Sequence, residues 1–322
     1  MSALKEKYPK SLVTWVVKEP AQELLEGSVY IDRIMVFSLS SLLCLQAERY
    51  DLLISLDKAP EAAALASMVK AGKKCGYGLD SKGKIFSLNK ETEYSFLLGL
   101  DDELKFKKNN KTYQEMIFEI ASLPYKKQRY ELKLGESELD FAESFFRENN
   151  IQGNKPMIGI VTGAGRVFAN KNLKQDKIVK LIELLNAEMD TQIILLGGPQ
   201  EKEINEYIIA NAKPKIFNSG CEHNLKEYAA LVNKCSLVIT PDTLALHIAI
   251  ALGRPVIALF GPTCPQEIDL YNLGRKIVTT IGCAPCYKNK CDKQLSCMDK
   301  ISLDEINKAA KELISPGKAI GN

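Results

Sequence analysis

The stretch Leu237 to Thr263, LVITPDTLALHIAIALGRPVIALFGPT, decides the fold. Leu237–Thr240 is a short apolar run and reads as a buried strand. It breaks at Pro241-Asp242-Thr243, after which a helix carrying His247 is expected over 243–252. A second apolar run, Val256–Phe260, ends in Gly261-Pro262-Thr263. Strand, helix and strand in this order form a βαβ unit, so the strands are parallel and the turns that follow them share one rim. Open α/β sheets hold ligands at that rim, where a helix N-terminus offers free N–H groups and a positive dipole end to a phosphate. His247 lies four positions after Thr243, which puts both on one side of the first helical turn. An ordinary core βαβ unit with a satisfied histidine is the competing reading.

The pattern extends outward. Apolar strands are expected at 157–162 and 192–196, and helices at 175–188, 201–212 and 224–234. Strand and helix alternating at this spacing mean a parallel sheet with its βα turns on one edge. Those turns are Thr162-Gly163-Ala164-Gly165-Arg166, Gly197-Gly198-Pro199, Pro241-Asp242-Thr243 and Gly261-Pro262-Thr263. Together they suit a nucleotide diphosphate. The first half alternates more loosely, with strands at 12–17, 33–37 and 52–56 and helices at 21–26, 41–49, 60–71 and 112–122. A polar connection at 149–155 places the domain boundary near Gly153, giving domains 1–153 and 154–322.

The first domain opens on the tail of a helix at 2–8, and its first strand is LVTWVV. In a doubly wound sheet the first strand is central and its turn is the usual ligand loop. Its loss would expose two inner edges. A leading strand and loop, roughly two dozen residues, are therefore expected to be missing ahead of Met1.

Composition sets bounds. The 322 residues suit two domains, and 46% hydrophobic with 26% charged residues is ordinary for a soluble globular protein. A net charge of +3 gives no case for nucleic acid as a partner. The apolar stretch 237–260 is broken by Pro241, Asp242, His247, Gly253, Arg254 and Pro255, so it is core and not a membrane span. The N-terminus MSALKEKYPK lacks the apolar segment of a signal peptide. Nine cysteines without an export signal point to a reducing, cytoplasmic setting and mostly free thiols.

At these residues the chain resembles glycosyltransferase family 9, the ADP-heptose:lipopolysaccharide heptosyltransferases and their relatives. PDTLALHIAIALGRPVIALFGPT is the most specific match. GIVTGAGRVFANKNL at 159–173 resembles the family's phosphate loop with its following lysine, and LLGGPQEKE at 195–203 its ribose-side turn. ALKEKYP and VTWVV within 3–17 look like its first helix and second strand, and CAPCYKNKCDKQLSCM at 283–298 its cysteine-bearing tail.

The resemblance implies an α/β fold of the GT-B type, with two Rossmann-like doubly wound parallel-sheet domains facing across a cleft. Residues 1–153 would be the acceptor side. Residues 154–322 would bind the nucleotide sugar and carry the cysteine tail and a final helix. The implied reaction is inverting transfer of heptose, or a related sugar, from ADP-heptose to a lipopolysaccharide inner-core acceptor. No metal or cofactor is implied; the setting is the cytoplasmic face of the inner membrane, with peripheral contact. Such chemistry needs a base at the acceptor hydroxyl and positive charge or N–H groups at the diphosphate.

On these grounds Thr162, Gly163, Ala164, Gly165, Lys171, Glu201, Asp242, Thr243, Leu244 and His247 are the candidate donor-binding residues. The resemblance makes Lys171 the diphosphate's counter-charge; a solvated surface lysine is the plain alternative. Backbone N–H groups of Thr243 and Leu244 would hold the diphosphate, Asp242 would accept from sugar hydroxyls, and His247 would donate to sugar or phosphate. For Asp242 a plain helix N-cap is the alternative, and for Glu201, otherwise a ribose ligand, a helix-dipole role.

Two departures stand out. Family members commonly carry Gly where this chain has Leu244. The family's catalytic Asp lies in the loop expected to be missing, so the catalytic residue is unknown and a donor-binding but inactive protein is the alternative. Asp101-Asp102 lacks the spacing of a metal-dependent transferase and reads as solvated. Cys283, Cys286, Cys291 and Cys297 read as free or weakly oxidisable thiols in a tight loop, with a tetrahedral structural zinc site as the alternative. The basic run Lys105, Lys107, Lys108 and Lys111 reads as a solvated loop, with contact to an anionic leaflet as the alternative.

Overall fold

The computed structural model describes residues 1–165, 168 and 171–314. The chain divides into two compact units. The first comprises Met1–Gln128 with Gln266–Asp269, and the second Arg129–Pro265 with Leu270–Asn322.

The first unit holds β1 (Thr14–Val17), β2 (Arg33–Val36), β3 (Arg49–Ser55), β4 (Lys70–Leu79) and β5 (Ile85–Ser87). Among the described residues β1 pairs only with β2, in parallel, while β3 is parallel to β4 and β5 antiparallel to β4. The unit thus has two small sheets. Side chains tie the β1–β2 sheet to the rest of the unit at both strand ends. Arg33 on β2 donates two hydrogen bonds to Glu48, at 3.0 and 2.6 Å, and one to the Tyr50 hydroxyl on β3 at 2.9 Å. At the other end Lys18 pairs with Glu61 on the helix Pro60–Met68.

Helix 60–71, as expected from sequence, stops instead at Met68, and β4 follows. Its sequence KAGKKCGYGL is too rich in Gly and Lys to signal a strand. Pairing with β3 overrides that weak propensity. Gly76, at φ +100°, passes so close to β3 that a Cβ would sit 1.7 Å from the Ser55 carbonyl oxygen, so only glycine fits.

The second unit carries β6 (Met157–Val161), β7 (Gln192–Leu196), β8 (Ile216–Asn218), β9 (Leu237–Pro241), β10 (Val256–Phe260) and β11 (Gly274–Val278). Every pair is parallel, in the order β11-β10-β9-β6-β7-β8. Numbered within this unit the order is 3-2-1-4-5-6, the doubly wound arrangement, with its switch point between β6 and β9.

Alternate residues feed two cores. Ile158, Ile160, Ile193, Leu195, Ile239 and Ile257 pack with the helices Gln175–Glu188 and Leu303–Ile314. Met157, Val161, Ile194, Leu196 and Val238 pack with the helices Glu136–Glu148, Leu225–Asn233 and Leu244–Ala251. Both faces being covered, β6, β9 and β10 read as unbroken apolar runs.

The boundary falls at Gln128–Arg129, earlier than Gly153. The helix Glu136–Glu148 is the reason: Ala142 is fully buried in the second unit's core, with Phe141, Phe145 and Phe146 packed against it. The outer strands β8 and β11 were also hidden in the sequence, because IFN and GRKIV are short or broken by charge.

Candidate donor site

The switch point collects the candidate residues. The loop after β6 begins at Thr162 and reaches Gly165 in the left-handed region, φ +63°. Its Arg166 lies outside the described residues. Thr162 is buried, with its N–H donating to the Leu196 carbonyl at 3.1 Å and its hydroxyl to Asn205 Oδ1 at 2.6 Å. Gly163 touches Glu201 so closely that a Cβ would meet its carboxyl carbon at 2.2 Å. Ala164 beside it is half-buried and Gly165 exposed. Glu201 Oε2 accepts from the Gly198 N–H at 2.9 Å, so the acid closes the turn after β7. The helix-dipole alternative thereby gains a specific geometry, a carboxylate accepting from the N-cap N–H at the start of the helical segment Pro199–Asn211.

Lys171, Asp242 and His247 come together on the β6 and β9 side. Lys171 Nζ stands 3.5 Å from Asp242 Oδ2, with the two side chains 15% and 17% exposed. Lys171 also lies over the Phe168 ring at 5.6 Å. It is no solvated surface lysine. Asp242 is not the helix cap either; Thr243 is, in extended conformation, and no side chain caps that helix. The helix starts directly after β9, at the end of the sheet where open α/β folds hold ligands. The Thr243 hydroxyl is engaged with Thr240 Oγ1 at 3.0 Å, and Leu244 is 46% exposed at the helix start.

Burial pushes the His247 imidazole below its usual pKa; Asp242 raises it and Lys171 lowers it further. Its Nδ1 lies 3.2 Å from the Tyr130 hydroxyl. Tyr130 and Asn205 escaped the sequence reading. The connection RYELKLG around Tyr130 carries no motif, and Asn205 sits mid-helix, fully buried, where a polar residue signals nothing until its partners are known.

The cysteine tail is fixed to the turn after β10. The N–H groups of Cys286 and Tyr287 both donate to the Pro262 carbonyl at 3.0 Å, and Tyr287 meets Phe168 edge-on at 5.3 Å. Cys283, Cys286, Cys291 and Cys297 border a cavity of about 50 Å³ with their sulfurs reduced. Burial raises the Cys297 thiol to about 11. Among the described residues no group of three or more His, Cys, Asp or Glu side chains is arranged to hold a metal ion.

Two other sequence features fall on the first unit. Asp101 Oδ1 accepts from the Leu104 N–H at 2.9 Å, closing a turn. The basic run is helical over Leu104–Lys108, not a loop, and Lys111 pairs with Glu119 at 2.7 Å. No helix among the described residues is long and apolar enough to cross a membrane.

Residues 41–296 match the family model for glycosyltransferase family 9 (heptosyltransferase). The lipooligosaccharide heptosyltransferase 2 of Haemophilus influenzae is 32% identical over 129 residues, which cover 38% of this chain and 36% of that protein. The lipopolysaccharide core heptosyltransferase OpsX of the same organism is 26% identical over 285 residues, covering 84% and 76%. The structure of Escherichia coli ADP-heptose LPS heptosyltransferase II superposes with a TM-score of 0.70 at 20% identity, covering 97% and 92% of the two chains.

Proposed function

The chain belongs to glycosyltransferase family 9, and from that membership we propose that it transfers heptose from ADP-heptose to a lipopolysaccharide inner-core acceptor. One observation carries the donor half of this reading. At the switch point of a 3-2-1-4-5-6 sheet, a half-buried lysine stands beside a helix that no side chain caps. A nucleoside diphosphate supplies the acceptors that the helix start lacks and competes with Asp242 for the lysine. Its phosphates accept from the helix N–H groups and from Lys171, and Asp242, released from the lysine, turns to sugar hydroxyls. Glu201 keeps one carboxylate oxygen beyond its bond to Gly198 and serves the ribose. Positive charge fixed at the diphosphate stabilises it as leaving group, so Lys171 does the work of a divalent ion.

The experiment is calorimetry with ADP followed by a transfer assay with ADP-heptose and a core acceptor, with and without EDTA. Lys171→Ala is expected to weaken ADP binding by about 2 kcal/mol, the order for losing one side of a partly buried charge-assisted contact. Turnover is expected to survive EDTA. Equal ADP affinity in wild type and variant removes Lys171 from the site. Loss of turnover in EDTA, restored by magnesium, removes the metal-free mechanism. ADP binding without turnover favours a protein that holds the donor but does not activate the acceptor.

A further inference from the structure

Tyr130 and His247 form a contact that the donor reading leaves unused. The Tyr130 hydroxyl lies 3.2 Å from His247 Nδ1, and the two rings meet edge-on with centroids 5.5 Å apart. Tyr130 is braced in turn by Tyr271, edge-on at 6.0 Å. Tyr130 sits just past the point where the chain first enters the second unit, at Arg129, and Tyr271 just past its return, at Leu270.

A neutral imidazole has one N–H and one bare nitrogen, and its function depends on which is which. Heavy-atom positions allow the proton between Tyr130 and Nδ1 to belong to either partner. The surroundings decide. With Nδ1 taken by Tyr130, Nε2 is the ring nitrogen left for a ligand. A bare Nε2 would turn a lone pair toward an anionic diphosphate, whereas an Nε2–H would donate to it. Asp242, the nearer in effect of the two charges acting on the ring, favours a proton on the imidazole, and Lys171 opposes it.

We propose that Tyr130 is a positioning residue of the donor site: its hydroxyl donates to His247 Nδ1 and holds the imidazole in the tautomer with its proton on Nε2. Burial, which keeps the ring neutral, leaves the tautomer as the property to be set. The edge-on stack of Tyr271 on Tyr130 on His247 fixes the ring plane, and the hydroxyl fixes the proton. The role rests on the donor reading above, but the tautomer can be read without any ligand.

The chain contains two histidines, His223 and His247, so ¹⁵N-histidine labelling gives two imidazoles to follow. In the ligand-free wild type, His247 is expected to show a bare Nδ1 and a protonated Nε2. In Tyr130→Phe, which keeps the ring stack, the His247 nitrogens are expected to move to the averaged shifts of mixed tautomers. His223 should be unchanged and so report an intact fold. ADP affinity should fall about 2- to 10-fold, the scale of one neutral hydrogen bond. A proton on Nδ1 in the wild type overturns the proposal, as do unaltered His247 shifts in Tyr130→Phe. If Tyr130→Phe fails to fold, the wild-type tautomer still decides. If the tautomer is as expected but no variant binds ADP, the donor reading fails and the Tyr130–His247 assignment stands.

Discussion

The two units solve the same packing problem differently. The second threads six parallel strands into one sheet with two edge strands, and its central strands are buried along their whole length. The first divides five strands between two sheets; no residue of β1, β2 or β3 is fully buried. Backbone ladders hold the one together. Across its divide the other has no backbone ladder among the described residues and carries exposed ion pairs such as Arg33–Glu48, whose side chains are 42% and 38% exposed. Ladder hydrogen bonds between covered strands are shielded from water, salt and acid, and exposed ion pairs are not. Cohesion is therefore a property of strand pairing more than of composition.

Hydrogen exchange would break or sharpen this contrast most sharply. Amides of β6 and β9 should exchange more slowly than those of β1 by at least about 10³-fold, since buried ladders open only with global unfolding and half-exposed edges open locally. Equal protection in both would mean that the first unit is as cohesive as the second. Core truncation is next in size. Leu195→Ala, at a fully buried position, should cost about 3–4 kcal/mol in urea denaturation, and Val16→Ala in the half-buried β1 about 1 kcal/mol. The single tryptophan, Trp15, lies on β1, so its fluorescence follows the first unit while circular dichroism follows both. Trp15 should lose its native signal at lower urea.

The smallest effect concerns acid. Glu48 is held at about 2, below its usual 4.5, by hydrogen bonds from Arg33 and Tyr50. A depressed carboxylate contributes stability that is complete above pH 4.5 and lost as pH falls through about 2. The Trp15 transition should shift to lower urea across that window, and Glu48→Gln should flatten the shift. An unchanged slope in Glu48→Gln would assign the acid response to other carboxylates.

This contrast also explains what could be read in advance. Doubly covered strands must be apolar throughout, so MIGIV and VIALF announced themselves, and the turns behind them supplied the candidate donor residues. β4 could not announce itself, because its Lys and Gly residues are tolerated only through pairing with β3. Within the site, Lys171 was a candidate through the family resemblance and Asp242 through its place after a strand, but their 3.5 Å pairing was not legible, since it joins loops of two different strands. Tyr130 was invisible for the same reason: its significance lies in His247, far along the chain.

The excursion Gln266–Asp269 bears on how the protein is made. Gln114 on the helix Tyr113–Ile120 donates to the Asp269 carbonyl at 3.5 Å and accepts from its N–H at 3.3 Å, and Gln266 donates to the Lys105 carbonyl at 3.3 Å. A nascent chain emerges N-terminus first. The earlier-translated unit must wait for those hydrogen bonds until most of the later one has left the ribosome. Order of synthesis and order of completion are thereby uncoupled, and a pause in translation before codon 266 would leave the first unit unfinished.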